Sequence, residues 1–480
     1  MQHSKNTKII ATVGPACQKP EILKALINEG VDVFRINASH STPESLEFWF
    51  NLVRRVSMEM GRHIAILIDL QGPRIRTGKL KKAPLMLKEG QRITMKVGNM
   101  VSNGSFLTTT CKEFTDMVKK GDTIMIDNGT ITLKAESSSR AGVVCRVVIG
   151  GPVGNNKGIN LPSAPITLPA LTEKDLVDLA VAAKLGADYV ALSFVRTRDD
   201  IMTMRRWMQK HHVKIPIIAK IEKPQAVKNI RSIMALTDGI MVARGDLGIE
   251  MGVERVPRVQ KQLIDEAEEA NIPVITATQM LETMIDNAQP TRAEVSDIAN
   301  AVFDGTDAVM LSGETSVGKY PVEAVRIMRK IIQQAEGRRE DKPGMLWDDG
   351  TADRAVYLPA IAHAAYNAAQ EAKAKAIVIF TRSGRIARHL SKLKPGCGMI
   401  AATDSMKTLA QLSLLRGVQP IFVEKSLNPQ EMIWRTDAEM LRNKILKKGD
   451  VIIVISGPWA LPGSLFMLAI HRVGETQLTA

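Results

Sequence analysis

The chain has 480 residues, of which 45% are hydrophobic and 24% charged, with a formal net charge of +14. That length exceeds one simple core and sets an expectation of about two to four domains. Aromatic residues make up only 4%, which argues against stacking platforms for single-stranded nucleic acid, and the basic charge is spread rather than run together. Phosphorylated small molecules are the expected anionic partners, with no specific nucleic acid. Cys17, Cys111, Cys145 and Cys397 form no Cys-x-x-Cys pair, so neither a cysteine zinc site nor a disulfide framework is expected. Met1-Gln2-His3-Ser4-Lys5 carries no apolar leader, and no apolar run is long enough to span a bilayer. The expectation is a soluble cytoplasmic protein with no membrane partner.

In chain order, apolar runs ending in polar groups fall at 8–12, 33–37, 64–69, 189–193, 217–220, 240–243, 274–278 and 308–311. Most are separated by stretches with helical spacing. Thr172-Glu173-Lys174-Asp175 and Thr291-Arg292-Ala293-Glu294 read as capping boxes. Continuous apolar strands alternating with helices indicate a parallel sheet covered on both faces. Eight of them predict a (β/α)₈ TIM barrel, whose active site lies at the C-terminal ends of the strands.

The pattern breaks between 73 and 169. Helical spacing disappears, and β-type runs at 92–97, 123–126 and 143–149 alternate with turn signals such as Asp127-Asn128-Gly129. This predicts an all-β lid inserted after strand three, hinged at Gly72-Pro73 and Leu168-Pro169. A linker is expected at 337–344. Strands near 376–380, 399–402, 420–423 and 451–455 then predict a doubly wound α/β domain. The expected division is 1–72 and 170–340 for the barrel, 73–169 for the lid and 341–480 for the C-terminal domain.

The chemistry sits at the strand ends. Ala219-Lys220-Ile221-Glu222 and Arg244-Gly245-Asp246-Leu247-Gly248 place a lysine and two carboxylates beside buried-looking strands. Such groups cost desolvation energy unless paired. A hard Mg²⁺ and an anionic substrate would pair with them. The alternative is an ion network with no ligand. Arg35-Ile36-Asn37-Ala38-Ser39-His40 offers an arginine and small polar groups suited to a phosphate and a cation. Arg76 is a second phosphate candidate, whereas Asp69 reads as a cap. A helix starting at Arg244 would offer free N–H groups to a carboxylate. Thr278 is placed to bond substrate or a relay water. Thr381-Arg382-Ser383-Gly384-Arg385 makes a phosphate cradle without a catalytic base, which favours regulation over a second active site.

Together these segments resemble the pyruvate kinase family. Further matches are Ala11-Thr12-Val13-Gly14-Pro15-Ala16, Asp69-Leu70-Gln71-Gly72-Pro73-Arg74-Ile75-Arg76-Thr77-Gly78, Asn156-Lys157-Gly158-Ile159-Asn160, Ser193-Phe194-Val195-Arg196 and Pro290-Thr291-Arg292-Ala293-Glu294-Val295. The resemblance implies transfer of phosphate from phosphoenolpyruvate to ADP in glycolysis, giving pyruvate and ATP, by a homotetramer. It implies that Glu222 and Asp246 hold Mg²⁺, with Mn²⁺ as an alternative. Lys220 neutralises the moving phosphoryl and the enolate. Arg35 holds phosphate, Gly245 and its neighbours the substrate carboxylate, and Ser193 lies among the substrate-binding positions. Thr278 lies near the protonated enolate face. Thr12, Pro15, Asn37, His40, Arg76 and Lys157 match nucleotide-side positions. Asn37, Ser39, Asp69 and the Leu70 carbonyl match a K⁺ cage.

The chain also departs from the family pattern. Ser41 and Ser163 stand where glycine is usual. The loop Ser456-Gly457-Pro458-Trp459-Ala460 lacks the usual Thr-Asn, so a sugar-phosphate or nucleotide effector is an open expectation. The residue after Gly72-Pro73 is Arg74, where Glu accompanies K⁺ dependence and Lys its absence. A fixed guanidinium there predicts activity without K⁺. A metal-dependent aldolase or lyase on a pyruvate-like substrate would also use Mg²⁺ carboxylates and an arginine, but would need neither Arg76 nor a lid carrying Lys157.

Overall fold

A computed structural model describes residues 5–162, 168–337, 357–426, 428–457 and 466–475. The eight expected strands close into one parallel barrel in chain order. They are Lys8–Thr12, Val33–Asn37, Ala65–Asp69, Tyr189–Leu192, Ile217–Ile221, Gly239–Ala243, Val274–Ala277 and Ala308–Leu311. Side chains alternate across each strand, so one face of every strand fills the barrel and the other meets the helices. Ile10, Val33, Leu67, Ile218, Met241, Ile275 and Met310 occupy the interior. Ile9, Phe34, Ile66, Ile217, Ile240 and Val274 pack against the helical ring. That double burial is why the strands read as unbroken apolar runs rather than alternating ones.

The strands end slightly earlier than expected at two functional positions. Ser193 and Thr278 lie one residue beyond their strands, and the chain turns sharply there. Both capping boxes form. Thr172 Oγ1 accepts the Asp175 N–H at 3.1 Å, and Thr291 Oγ1 accepts the Glu294 N–H at 3.2 Å. Each fixes where a helix enters its packing position.

Between the third and fourth strands lies the expected β-rich insertion, a six-stranded sheet and a two-stranded ribbon. It has its own core, including Ile93, Met95, Leu107, Ile124, Leu133 and Val143. One short helix, Phe114–Met117, interrupts it, contrary to the all-β expectation. Phe114 faces this core, and burial of that ring outweighs weak local patterning. Gly72 marks the entry, with φ +68; a Cβ there would lie 2.9 Å from the Phe194 ring and 2.9 Å from the Ser193 Cβ. Only glycine lets the chain pass so close. The return side of the insertion includes Ser163, which lies outside the described residues.

The C-terminal sheet has five strands, not four, in the order Val418–Phe422, Gly398–Thr403, Ala376–Phe380, Val451–Ser456, Met467–Arg472. The last, which begins with the apolar run Met467-Leu468-Ala469-Ile470, is antiparallel and half-exposed. The expected linker, beyond Gly337, and the 340/341 boundary lie outside the described residues. This sheet's helical face meets the N-terminal end of the barrel, the end opposite the chemistry. Leu414 packs into the barrel interior. Lys8 Nζ donates to the Val418 carbonyl at 2.8 Å, and Tyr189 donates its hydroxyl to the Gln411 carbonyl at 2.8 Å. Lys392 and Asp307 form a buried ion pair across the junction at 2.5 Å. Breaking one partner of such a pair leaves a bare buried charge. Lys392→Met is therefore expected to cost about 3–5 kcal/mol, read as a lowered unfolding midpoint in urea. Adding Asp307→Asn, which removes the bare charge and keeps an acceptor for the Val274 N–H, should restore part of the loss.

Candidate active site

Five strand ends of the barrel mouth converge on one charge network. Asp69, at the end of strand three, is buried and is a hub rather than the cap expected of it. Its Oδ2 accepts Arg35 Nε at 2.7 Å, and its Oδ1 lies 3.3 Å from Lys220 Nζ. Lys220 also meets Glu222 Oε1 at 2.9 Å and donates to Ser193 Oγ at 2.8 Å. Ser193 in turn donates to the Leu70 carbonyl at 2.6 Å. Arg35 reaches Thr12 Oγ1 at 3.1 Å, which binds the first strand into the same network. Arg35, Asp69, Ser193, Lys220 and Glu222 come from four segments far apart in the chain, and only barrel closure unites them.

The charges are biased by their surroundings. Burial alone would raise the Asp69 carboxyl, but Lys220 and Arg35 outweigh it and hold the group below the ordinary carboxylate range. Burial alone would lower Lys220, but Asp69 and Glu222 outweigh it and hold the ammonium more firmly protonated than usual. Glu222 goes the other way. Burial pushes its carboxyl up, and the charge of Asp246 adds to that push despite Lys220. Its Oε2 accepts the Phe194 N–H at 2.7 Å, while Phe194 sits at φ +54. A left-handed phenylalanine is uncommon and is sustained by its surroundings.

Asp246 lies in the first turn of the helix Arg244–Met251. Glu222 and Asp246 therefore offer two carboxylates whose mutual repulsion a cation would relieve. Among the described residues no group of three or more His, Cys, Asp or Glu side chains could enclose a metal. Two carboxylates with open positions suit Mg²⁺, which keeps water or substrate oxygens in its shell. The donor set thus fits a shared metal and not a closed structural one.

The Gly245 N–H donates to Thr278 Oγ1 at 2.8 Å, and that hydroxyl donates to the Ala277 carbonyl at 2.6 Å. Thr278 and Gln279 both lie at positive φ, 68° and 52°. The buried Arg244 holds this turn. It donates to the Thr278 carbonyl at 2.7 Å and the Ala277 carbonyl at 3.3 Å, and pairs with Asp297 at 2.7 Å. Sequence reading quoted Arg244 but gave it no role, because an arginine in a glycine-rich turn does not reveal whether it faces ligand or backbone. The buried trio Lys223, Glu250 and Asn160 was missed for a similar reason: no local motif joins them.

The nucleotide-side positions are more dispersed. Pro15 opens the short turn Pro15–Cys17. Asn37 Oδ1 accepts the Ser39 N–H at 3.1 Å, so that side chain is engaged in its own turn. The His40 side chain lies outside the described residues. Arg76 donates to the Asn156 carbonyl at 3.3 Å, and Lys157 Nζ pairs with Asp127 at 2.8 Å within the insertion. Arg74 does not stand free beside Asn37 and Ser39. Its guanidinium lies 3.9 Å from Asp246 Oδ1.

At the C-terminal loop, Thr381 Oγ1 accepts the Gly384 N–H at 2.9 Å, with Gly384 at φ +75. Arg382, Ser383 and Arg385 are exposed around that turn, ahead of the helix Arg385–Leu393. Residues 458–465 lie outside the described residues.

Comparison with known proteins places this geometry in context. A family model described as pyruvate kinase, barrel domain, matches residues 4–325, and one described as pyruvate kinase, alpha/beta domain, matches 359–471. A pyruvate kinase of Mycobacterium tuberculosis is 41% identical over 98% of this chain and 99% of its own length. One from Corynebacterium efficiens is 39% identical over 98% of each. A crystal structure of a pyruvate kinase from Cryptosporidium parvum superposes with a TM-score of 0.88 at 33% identity, covering 98% of this chain and 96% of that one. With both family models in chain order and two-fifths of all residues shared along nearly its whole length, the chain belongs to the pyruvate kinase family.

Proposed function

We propose that the chain transfers phosphate from phosphoenolpyruvate to ADP, forming pyruvate and ATP, as a cytoplasmic glycolytic enzyme. The observation that carries this reading is the buried Arg35–Asp69–Lys220–Glu222 network at the barrel mouth, in a member of this family. Phosphoryl transfer needs little covalent help from the protein and much positioning and charge neutralisation. Lys220 is fixed by three oxygens and firmly protonated, so its charge is in place before negative charge develops. Arg35, anchored by Asp69, supplies the second fixed charge for phosphate. Glu222 and Asp246 would hold Mg²⁺, or Mn²⁺ in its stead, which supplies Lewis-acid neutralisation of phosphoryl and carboxylate oxygens.

On this reading Gly245 and the N–H groups that begin Arg244–Met251 receive the substrate carboxylate. The Thr278 hydroxyl, oriented by Ala277 and Gly245, borders the enolate face that is protonated. Thr12, Pro15, Asn37, His40, Arg76 and Lys157 form the nucleotide side. The insertion at 73–169 acts as a lid that brings Arg76 and Lys157 over the barrel, made of 1–72 and 170–340, and excludes water. Residues 341–480 form a regulatory domain in a homotetramer. There Thr381, Arg382, Ser383, Gly384 and Arg385 cradle a phosphorylated effector.

Asn37, Ser39, Asp69 and Leu70 form the monovalent-cation position, and Arg74 replaces the cation's charge. The Arg74 guanidinium lies 3.9 Å from Asp246 Oδ1, so the charge it brings to the mouth is on the Mg²⁺ side.

Three measurements test the proposal. Purified protein should form pyruvate from phosphoenolpyruvate, ADP and Mg²⁺, and Lys220→Ala should lower turnover by about 10³-fold or more while its circular dichroism stays that of the parent. Near-parental turnover in that variant would remove Lys220 from its role. In buffer free of K⁺ and Na⁺ the parent should retain most of its activity, and Arg74→Glu should become K⁺-dependent; strict K⁺ dependence of the parent would refute the substitution argument.

The third concerns pH. Protons compete with metal at Glu222, whose carboxyl titrates above the usual 4.5. Mn²⁺ affinity measured by EPR should therefore weaken as pH falls from neutrality, beginning above that value. Glu222→Gln should flatten the profile as well as lower it.

A further inference from the structure

The inserted β unit joins the barrel through two segments, and each touches the carrier of one carboxylate. On the entry side, Gly72 lies against Ser193 and the Phe194 ring, at distances no larger residue could share. The Phe194 N–H is the one that holds Glu222 Oε2. On the return side, Asn160 ends the strand Ile159–Asn160, which pairs with Thr123–Ile126 inside the insertion. Its Nδ2 donates to Glu250 Oε1 at 2.9 Å. The same oxygen receives Lys223 Nζ. All three side chains are at least nine-tenths buried.

The placement of these three residues is specific. Lys223 follows Glu222 directly. Glu250 lies four residues after Asp246 on the helix Arg244–Met251, on the same face and one turn away. A single hydrogen bond from the insertion thus ends on an ion pair that spans the two carboxylate-bearing elements. A buried Lys–Glu pair is worth little as a source of stability after desolvation. Asn160 adds a second donor to the one Glu250 oxygen that Lys223 also holds. Displacing the insertion would leave Glu250 short of a donor in a buried setting.

We propose that Asn160, Glu250 and Lys223 are positioning residues that set the separation of Glu222 and Asp246 according to the place of the insertion. The lid would then contribute to metal binding itself, and not only to the nucleotide side. This deepens the Mg²⁺ reading above and rests on it. Asn160 touches neither carboxylate, so its effect must travel through Glu250.

The test uses Mn²⁺ as the probe, titrated by EPR into the full chain in the presence of oxalate as a dianion in place of substrate. Asn160→Ala removes the donor and leaves the Lys223–Glu250 pair intact. Asn160→Leu removes the donor while nearly keeping the side-chain volume, and adds no charge beside Glu250. Both should weaken Mn²⁺ binding about tenfold, the lower range for loss of a group that orients metal ligands. Loss of one buried hydrogen bond lowers the thermal midpoint on either view, but a purely structural role for Asn160 would do so without moving Mn²⁺ affinity. Parental Mn²⁺ affinity in either folded variant overturns the proposal.

Hydrogen exchange on the unaltered chain gives an independent reading should the variants misfold. Mn²⁺ with oxalate should slow exchange at 158–161 together with 244–251. Protection of 244–251 alone overturns the coupling. Failure of the parent to bind Mn²⁺ or to form pyruvate would instead overturn the metal assignment and the activity.

Discussion

Everything at the barrel mouth depends on Asp69. It is a buried carboxylate that binds two cations from different strands, Arg35 at 2.7 Å and Lys220 at 3.3 Å. Without it, Arg35 would lose its carboxylate partner, and Lys220, still held by Glu222 and Ser193, would face a neighbouring positive charge with no carboxylate between them. With it, both cations are fixed at the mouth where an anion would meet them. The arrangement has a surplus that ligands can complete: positive charge around Lys220 and Arg35, negative charge around Glu222 and Asp246. A phosphorylated carboxylic acid together with a divalent metal complements both at once.

The barrel explains how such a costly cluster is tolerated. Its interior below the mouth is filled by apolar side chains from all eight strands, and its outer face is buried by helices. Stability comes from that double layer, so the C-terminal strand ends can depart from good local geometry. Phe194, Thr278 and Gln279 all take left-handed backbone there. Arg244 holds two of them through carbonyl hydrogen bonds, and Glu222 holds the third through its N–H. Strain of this kind concentrates where function needs groups at fixed angles. The opposite end of the barrel instead seats Leu414 and the Lys392–Asp307 pair of the C-terminal unit.

The inserted unit is tied to the mouth at both of its connections. Gly72 packs on Ser193 and Phe194, and Asn160 reaches Glu250. Arg74, between them, approaches Asp246. Three contacts thus brace the elements that carry the two carboxylates, whereas Lys157 and Arg76 make their polar contacts within the insertion. The insertion therefore has two tasks of different reach: presenting its own cations, and bracing the elements that carry Glu222 and Asp246.

The sequence by itself determined the barrel, the insertion after strand three and the C-terminal α/β unit. Each element there is local: an apolar run, a capping box or a turn signal records the burial and dihedrals its own residues require. It also determined the identity of most polar strand-end groups, since a lysine or carboxylate closing an apolar run stands out without any knowledge of neighbours. Only the tertiary structure decided who pairs with whom. Asp69 reads as a cap until strands one, two and five surround it, and Arg244 reads as one residue of a glycine-rich turn until the carbonyls after strand seven meet it. Asn160, Lys223 and Glu250 have no shared motif, because they are joined across 27 to 90 residues of chain. The helix Phe114–Met117 escaped for a related reason: it owes its form to packing against a partner core rather than to its own periodicity. Burial and pairing energies act between segments, so the chemistry of this site was written in residue types and completed only by closure of the barrel.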